Sequence, residues 1–148
     1  MCKTGKQLGF SLIELMVTVT VMAILATIAF PAMGSISAGN ELNTAQENII
    51  EILKKARGMA ISHSTFATVV INPAGRTVQL SLSDGSQPVE TVRIRQNINV
   101  TAGATLVFTP QGTAQAGATA IDLSSTGYAN LPQRHIGISP TGVVAASR

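Results

Sequence analysis

The chain reads as an α+β protein, one long N-terminal helix packed on a compact antiparallel β domain of two small sheets. Three observations predict this. An apolar run near the start passes into an i, i+3, i+4 stripe that ends near residue 61. The period then changes to two, in short segments separated by Gly and Pro. No second helical pattern follows, which disfavours a parallel α/β arrangement. At 148 residues the chain accommodates one domain with a modest core.

The first element is Phe10–Phe30, FSLIELMVTVTVMAILATIAF, in which Glu14 is the single charge. As a helix it is about 32 Å long, matching a hydrocarbon core of roughly 30 Å. Lys3 and Lys6 precede it without an acid, which predicts a cytoplasmic N-terminus and a translocated remainder. Composition agrees: hydrophobic residues are 45%, charged residues 11%, and mean hydropathy is +0.34. The single Cys2 rules out an internal disulfide framework. Net charge is +3, but without residues 1–9 eight basic residues face seven acids, a net of +1. The basic pI is thus partly a property of the leader, and net charge alone does not imply a polyanionic partner.

A secretory signal would have a shorter apolar run and a small-x-small cleavage site. Ala32-Met33-Gly34 and Ser35-Ile36-Ser37 are poor sites of that kind. Glu14 also sets this span apart from a passive anchor. An ionised carboxylate near the start of an apolar span costs about 2.5–3.5 kcal/mol without a partner.

The stretch Gly9-Phe10-Ser11-Leu12-Ile13-Glu14-Leu15-Met16 resembles the class III leader and cleavage site of type IV pilins and type II secretion pseudopilins. The resemblance implies that residues 1–9 are a leader, that prepilin peptidase cuts between Gly9 and Phe10, and that Phe10 is N-methylated. Glu14 falls at the family's glutamate position and Pro31 where these helices commonly carry a proline. The implied partners are prepilin peptidase, other pilins or pseudopilins through the N-terminal helix, and the inner membrane. Physically, Glu14 suits pairing with the freed amine of Phe10 on a neighbouring subunit, which offsets both charges and sets axial register. The small and β-branched residues Val17, Val19, Val21, Ala23, Ile24, Ala26, Ile28 and Ala29 favour close helix packing.

Residues 10–30 are thus the membrane or filament-core segment, and 31–61 its amphipathic continuation. Pro31, Gly34 and Gly39 predict a kink or local melting at their junction. Leu42, Ala45, Ile49, Ile52, Leu53, Ala56 and Ala60 then form one apolar stripe, with Asn40 or Ser37 as the expected cap. Lys54, Lys55 and Arg57 read as a solvated face, with Glu51 spaced to pair with Lys55.

Residues 62–148 form the β-rich part. Thr65–Asn72 and Thr77–Ser83 flank Pro73-Ala74-Gly75-Arg76 as a hairpin, and Asp84-Gly85 is a turn before Val89–Ile94. Shorter strands are expected at Ile98–Thr101, Thr105–Thr109, Thr119–Leu123, Arg134–Ser139 and Val143–Ala146. Their order, with Phe108-Thr109-Pro110-Gln111-Gly112 and the Gly142 turn, is similar to the GspH/FimT family. That family contains secretion pseudopilins and type IV minor pilins. The implied role is a structural minor subunit of a pseudopilus or pilus, near its tip, with the β domain periplasmic or extracellular.

Some members bind DNA through a C-terminal Gly-Arg-x-Arg motif. Here Gly142 is followed by Val143-Val144-Ala145, so both motif arginines are missing. Arg134, His135 and Arg148, with Arg93 and Arg95 alternating on one strand, are the remaining candidates for phosphate contact. The same residues also fit ordinary solvated positions. A membrane-anchored periplasmic binding domain is the third alternative, and it predicts no processing at Gly9. An enzyme is not expected: His63 and His135 lack metal-ligand spacing, and there is no Gly-x-Ser-x-Gly elbow or P-loop. No cofactor or metal is implied.

Overall fold

The computed structural model describes residues 10–86, 89–101, 103–115 and 119–147. Packing divides the chain into two compact units, one up to Ile36 and one from Ser37 onward. Helix α1 (Leu12–Ser62) runs through the first unit and into the second. The backbone is helical at Pro31, Gly34 and Gly39, so the local melting expected there is not observed. Proline removes one backbone donor and crowds the preceding turn, a cost of about 3 kcal/mol that a helix propagating on both sides carries without breaking. Ser37 and Asn40 are therefore interior residues rather than caps, and the Asn40 carbonyl accepts a bond from Thr44 Oγ1 at 2.9 Å.

Helix α1 ends at Ser62, one residue past the boundary the stripe predicts, without the glycine that usually marks such an end. Ser64 adopts φ 51°, Thr65 N donates to Ala60 O at 3.1 Å, and Ser64 N donates to Ile61 O at 3.3 Å. This is a Schellman motif with serine at the left-handed position that glycine usually fills.

Eight strands follow: β1 (Ala67–Asn72), β2 (Thr77–Leu82), β3 (Glu90–Arg93), β4 (Ile98–Val100), β5 (Ala104–Phe108), β6 (Thr119–Ser125), β7 (Arg134–Ile138) and β8 (Val144–Ser147). They form two antiparallel four-stranded sheets, ordered β3-β2-β1-β5 and β4-β6-β7-β8. The alternation read from the sequence selects the inner faces. Val69, Ile71, Val78, Leu80, Leu106 and Phe108 of the first sheet are buried with Ile98, Val100, Ile121, Leu123, Ile136 and Ile138 of the second. Residues Leu42, Ala45, Ile49, Ile52, Leu53, Ala56 and Ala60 of α1 complete the same core. At the Asp84-Gly85 turn the Asp84 carboxylate accepts bonds from the Ser86 N–H and hydroxyl, which hold its pKa below the ordinary value.

Ser64→Gly relieves the left-handed strain while slightly raising the entropy of the unfolded chain. The expected net effect is a gain of about 0.5–1 kcal/mol. Thermal unfolding of the full chain in detergent micelles checks it, and an unchanged or lower midpoint contradicts it.

Candidate functional site: the exposed helix start and the flanks of α1

The chain enters α1 within two residues of Phe10. Glu14 N and Leu15 N donate to Ser11 O at 3.1 and 3.2 Å, which makes Ser11 the residue at the helix entrance. Glu14 lies in the first turn, where the positive end of the helix dipole favours a carboxylate. Phe10 is 81% exposed, and Leu12, Ile13, Leu15, Met16, Met22, Ile24, Leu25 and Ile28 are all at least half exposed. The hydroxyls along this apolar stretch bond back to the helix, Thr18 to Leu15 O, Thr20 to Met16 O and Thr27 to Ile24 O, at 2.7–2.8 Å. With these three threonine donors satisfied, this part of the helix is suited to lipid or to another helix. The helix is long and apolar enough to cross a membrane, with a window of mean hydropathy 2.3. Gly9 and the leader lie outside the described residues.

Further along α1, the polar residues beside the apolar stripe are ties to the sheets. On one flank Glu41 pairs with Arg95 at 3.3 Å and also accepts from Asn97, and Lys55 pairs with Glu90 of β3 at 2.6 Å. The pairing expected between Glu51 and Lys55 is thus replaced by one across to the sheet edge. On the other flank Arg134 Nε donates to Asn43 at 2.9 Å, and Gln46 Nε2 donates to the His135 carbonyl at 2.9 Å.

Arg57, expected on a solvated face, is half-buried. Its Nε donates to Gly112 O at 2.9 Å and its Nη2 to Thr141 O at 3.4 Å. The two glycine turns singled out in the sequence, at Gly112 and Gly142, therefore meet beneath one arginine. Both have positive φ, 78° and 76°. A Cβ on Gly142 would overlap the Gly112 carbonyl oxygen, and one on Gly112 would lie 2.7 Å from Ile61 Cδ1. Gly142 is required for approach as well as conformation, whereas at Gly112 the positive φ is the constraint, since the Ile61 side-chain end can shift.

The described phosphate-contact candidates form two groups, Arg93 and Arg95 lining one cleft against α1 and Arg134 beside His135 on β7. Arg93 is exposed and lies opposite Thr77 in the β2–β3 register. Arg95, just past the end of β3, turns to Glu41 of α1. Arg134 is half-buried against Asn43, while His135 Nδ1 lies 2.6 Å from Asp122 Oδ1 across the β6–β7 pair. Arg148 lies outside the described residues. Among the described residues no three His, Cys, Asp or Glu side chains are placed to hold a metal.

An apolar N-terminal helix whose later turns form the core of a two-sheet domain defines a pilin-like subunit. Residues 4–30 match the family described as the prokaryotic N-terminal methylation motif. No curated protein matches the chain in sequence. The fold is similar to the type IV minor pilin FimU of Pseudomonas aeruginosa strain PAO1. In one crystal form the TM-score is 0.62 at 21% identity, covering 74% of this chain and 90% of FimU. A second crystal form gives 0.59 at 19% identity, with 72% and 92% covered. It is also similar to the minor pseudopilin EpsH of the Vibrio cholerae type 2 secretion system. There the TM-score is 0.60 at 11% identity, covering 72% of this chain and 96% of EpsH. The chain accordingly carries a methylation motif at the head of a FimU- and EpsH-like fold.

Arg57→Met leaves the Gly112 and Thr141 carbonyls without their charged donor. The expected cost is about 2 kcal/mol, in the range for hydrogen bonds to charged groups. Lys54→Met, at an exposed neighbouring position, serves as control and leaves the midpoint of thermal unfolding unchanged.

Proposed function

We propose that the chain is a class III prepilin, anchored in the inner membrane with its N-terminus cytoplasmic. Prepilin peptidase cuts it between Gly9 and Phe10 and Phe10 is N-methylated. The processed subunit then packs through α1 into a type II pseudopilus or type IV pilus as a structural minor component near the tip. Its β domain is periplasmic, or extracellular in a pilus, and its work is assembly rather than catalysis. The observation that carries this reading is the methylation motif over residues 4–30, continuous with an exposed apolar helix. Glu14 is the register residue: buried among neighbouring helices, its carboxylate is stabilised by the freed amine of the adjacent subunit's Phe10.

The structural reading is favoured over a DNA-uptake role by the engagement of Arg134, His135 and Arg95 within the domain. Phosphate binding requires several free cations on one surface. The plain anchored-domain alternative has no use for a Gly9–Phe10 junction or for a carboxylate in its span.

Gly9→Val is expected to abolish cleavage, leaving the unprocessed mass and no N-methylated Phe10 by mass spectrometry. Normal processing of that variant sinks the prepilin reading. Glu14→Ala is expected to insert and be cleaved, yet to enter fibres about tenfold less, an effect of roughly 1.4 kcal/mol per contact. Immunodetection of sheared fibres beside the membrane fraction reads both quantities, and normal incorporation contradicts the register role.

A further inference from the structure

Strand β8 ends the second sheet, and its pairing with β7 fixes which of its backbone groups point outward. Ser139 N donates to Val143 O at 2.9 Å and Gly142 N to Ser139 O at 2.8 Å, so the turn closes on a bonded position with Gly142 and Val143 together opposite Ser139. Bonded and non-bonded pairs alternate along an antiparallel ladder. The register Ile138↔Val144 and Ile136↔Ala146 therefore puts Val144 and Ala146 in non-bonded pairs, with N–H and C=O directed away from β7.

Free edges are usually blunted by charge, proline, a bulge or a cover. Val144–Ser147 reads VAAS, with neither charge nor proline. Beside its start lies an open cleft of about 370 Å³ between Lys54, Arg57, Gly58 and Ile61 of α1 and Gly142–Val144. Ile61 and Val143 are about half exposed, at 49% and 53%. The charged side chains lining the cleft, Lys54 and Arg57, are both cationic, and the bonds of Arg57 go to carbonyls rather than to a carboxylate.

We propose that the edge of β8 receives an extended strand of a neighbouring subunit, carrying an apolar side chain over Ile61 and Val143 and a carboxylate facing Lys54. The inference rests on the assembly reading above. Main-chain pairing at Val144 and Ala146 supplies affinity, and the cleft supplies selectivity. A nucleic acid is disfavoured because the centre of the cleft is apolar and a phosphate backbone needs a row of cations.

The test uses the full chain in detergent micelles and a capped peptide, Thr-Val-Thr-Glu-Thr, whose valine and glutamate share one strand face. Saturating peptide is expected to slow amide exchange at Val144 and Ala146 about tenfold, and a backbone-N-methylated peptide to do nothing. Lys54→Glu weakens binding about tenfold, and a Thr-Val-Thr-Lys-Thr peptide restores it. Ala146→Pro removes the edge donor and loses binding. The proposal is overturned by unchanged exchange, by equal binding of the methylated peptide, by indifference to the charge swap, or by displacement with a short DNA duplex. Prepilin peptidase is added to the same sample. Cleavage without strand capture refutes this inference alone, and capture without cleavage refutes the processing reading alone.

Discussion

Neither sheet of this protein has a cover of its own. The inner faces of both close on one stripe of α1, from Leu42 to Ala60, and together they make one core. A helix that must cover two sheets needs small residues where it comes close, and Ala56 and Ala60 are fully buried there. It also needs its azimuth fixed, because a rotation of one residue step, about 100°, would turn the stripe out of both sheets. The polar flanks hold that azimuth. Glu41 and Lys55 tie one side to β3 and the segment after it, while Asn43, Gln46 and Arg57 tie the other to β7 and the two glycine turns.

The same helix has an opposite relation to its surroundings before residue 37. There the large apolar side chains are exposed, and the hydroxyls among them are internally bonded. A soluble domain does not maintain so much exposed apolar surface without a second environment for it. Lipid and neighbouring helices are environments of similar polarity, so one apolar sequence suits either. In the assembly proposed above, the charged exception, Glu14, is the residue that sets register.

The β domain is built as a carrier of contacts. Among the described residues Arg57, Arg76 and Arg134 donate to oxygens inside the domain, Arg95 pairs with Glu41, and Arg93 stands exposed. What it leaves unpaired is backbone, at the outer edge of β8, beside a cleft whose charges have one sign. A fibre component that meets different neighbours at different positions benefits from such an edge, because main-chain pairing tolerates sequence while a charge selects among candidates.

The sequence by itself determined the element order. All eight strands lie within about two residues of where the period-two alternation and the Gly and Pro punctuation placed them. The stripe of α1 was equally legible, because burial is encoded in local periodicity. Local signals misled where a tertiary or cooperative effect outweighed them. Pro31 and Gly34 did not break a helix that was already propagating, and Lys55 found Glu90 rather than Glu51. Arg57 and Gly142 show the limit most clearly. In sequence they are a surface arginine and a turn glycine 85 positions apart, and only the closure of two sheets around one helix brings both against the Gly112 carbonyl. Side-chain pairing across such separations depends on the angle at which packed layers meet, and no local pattern carries that angle.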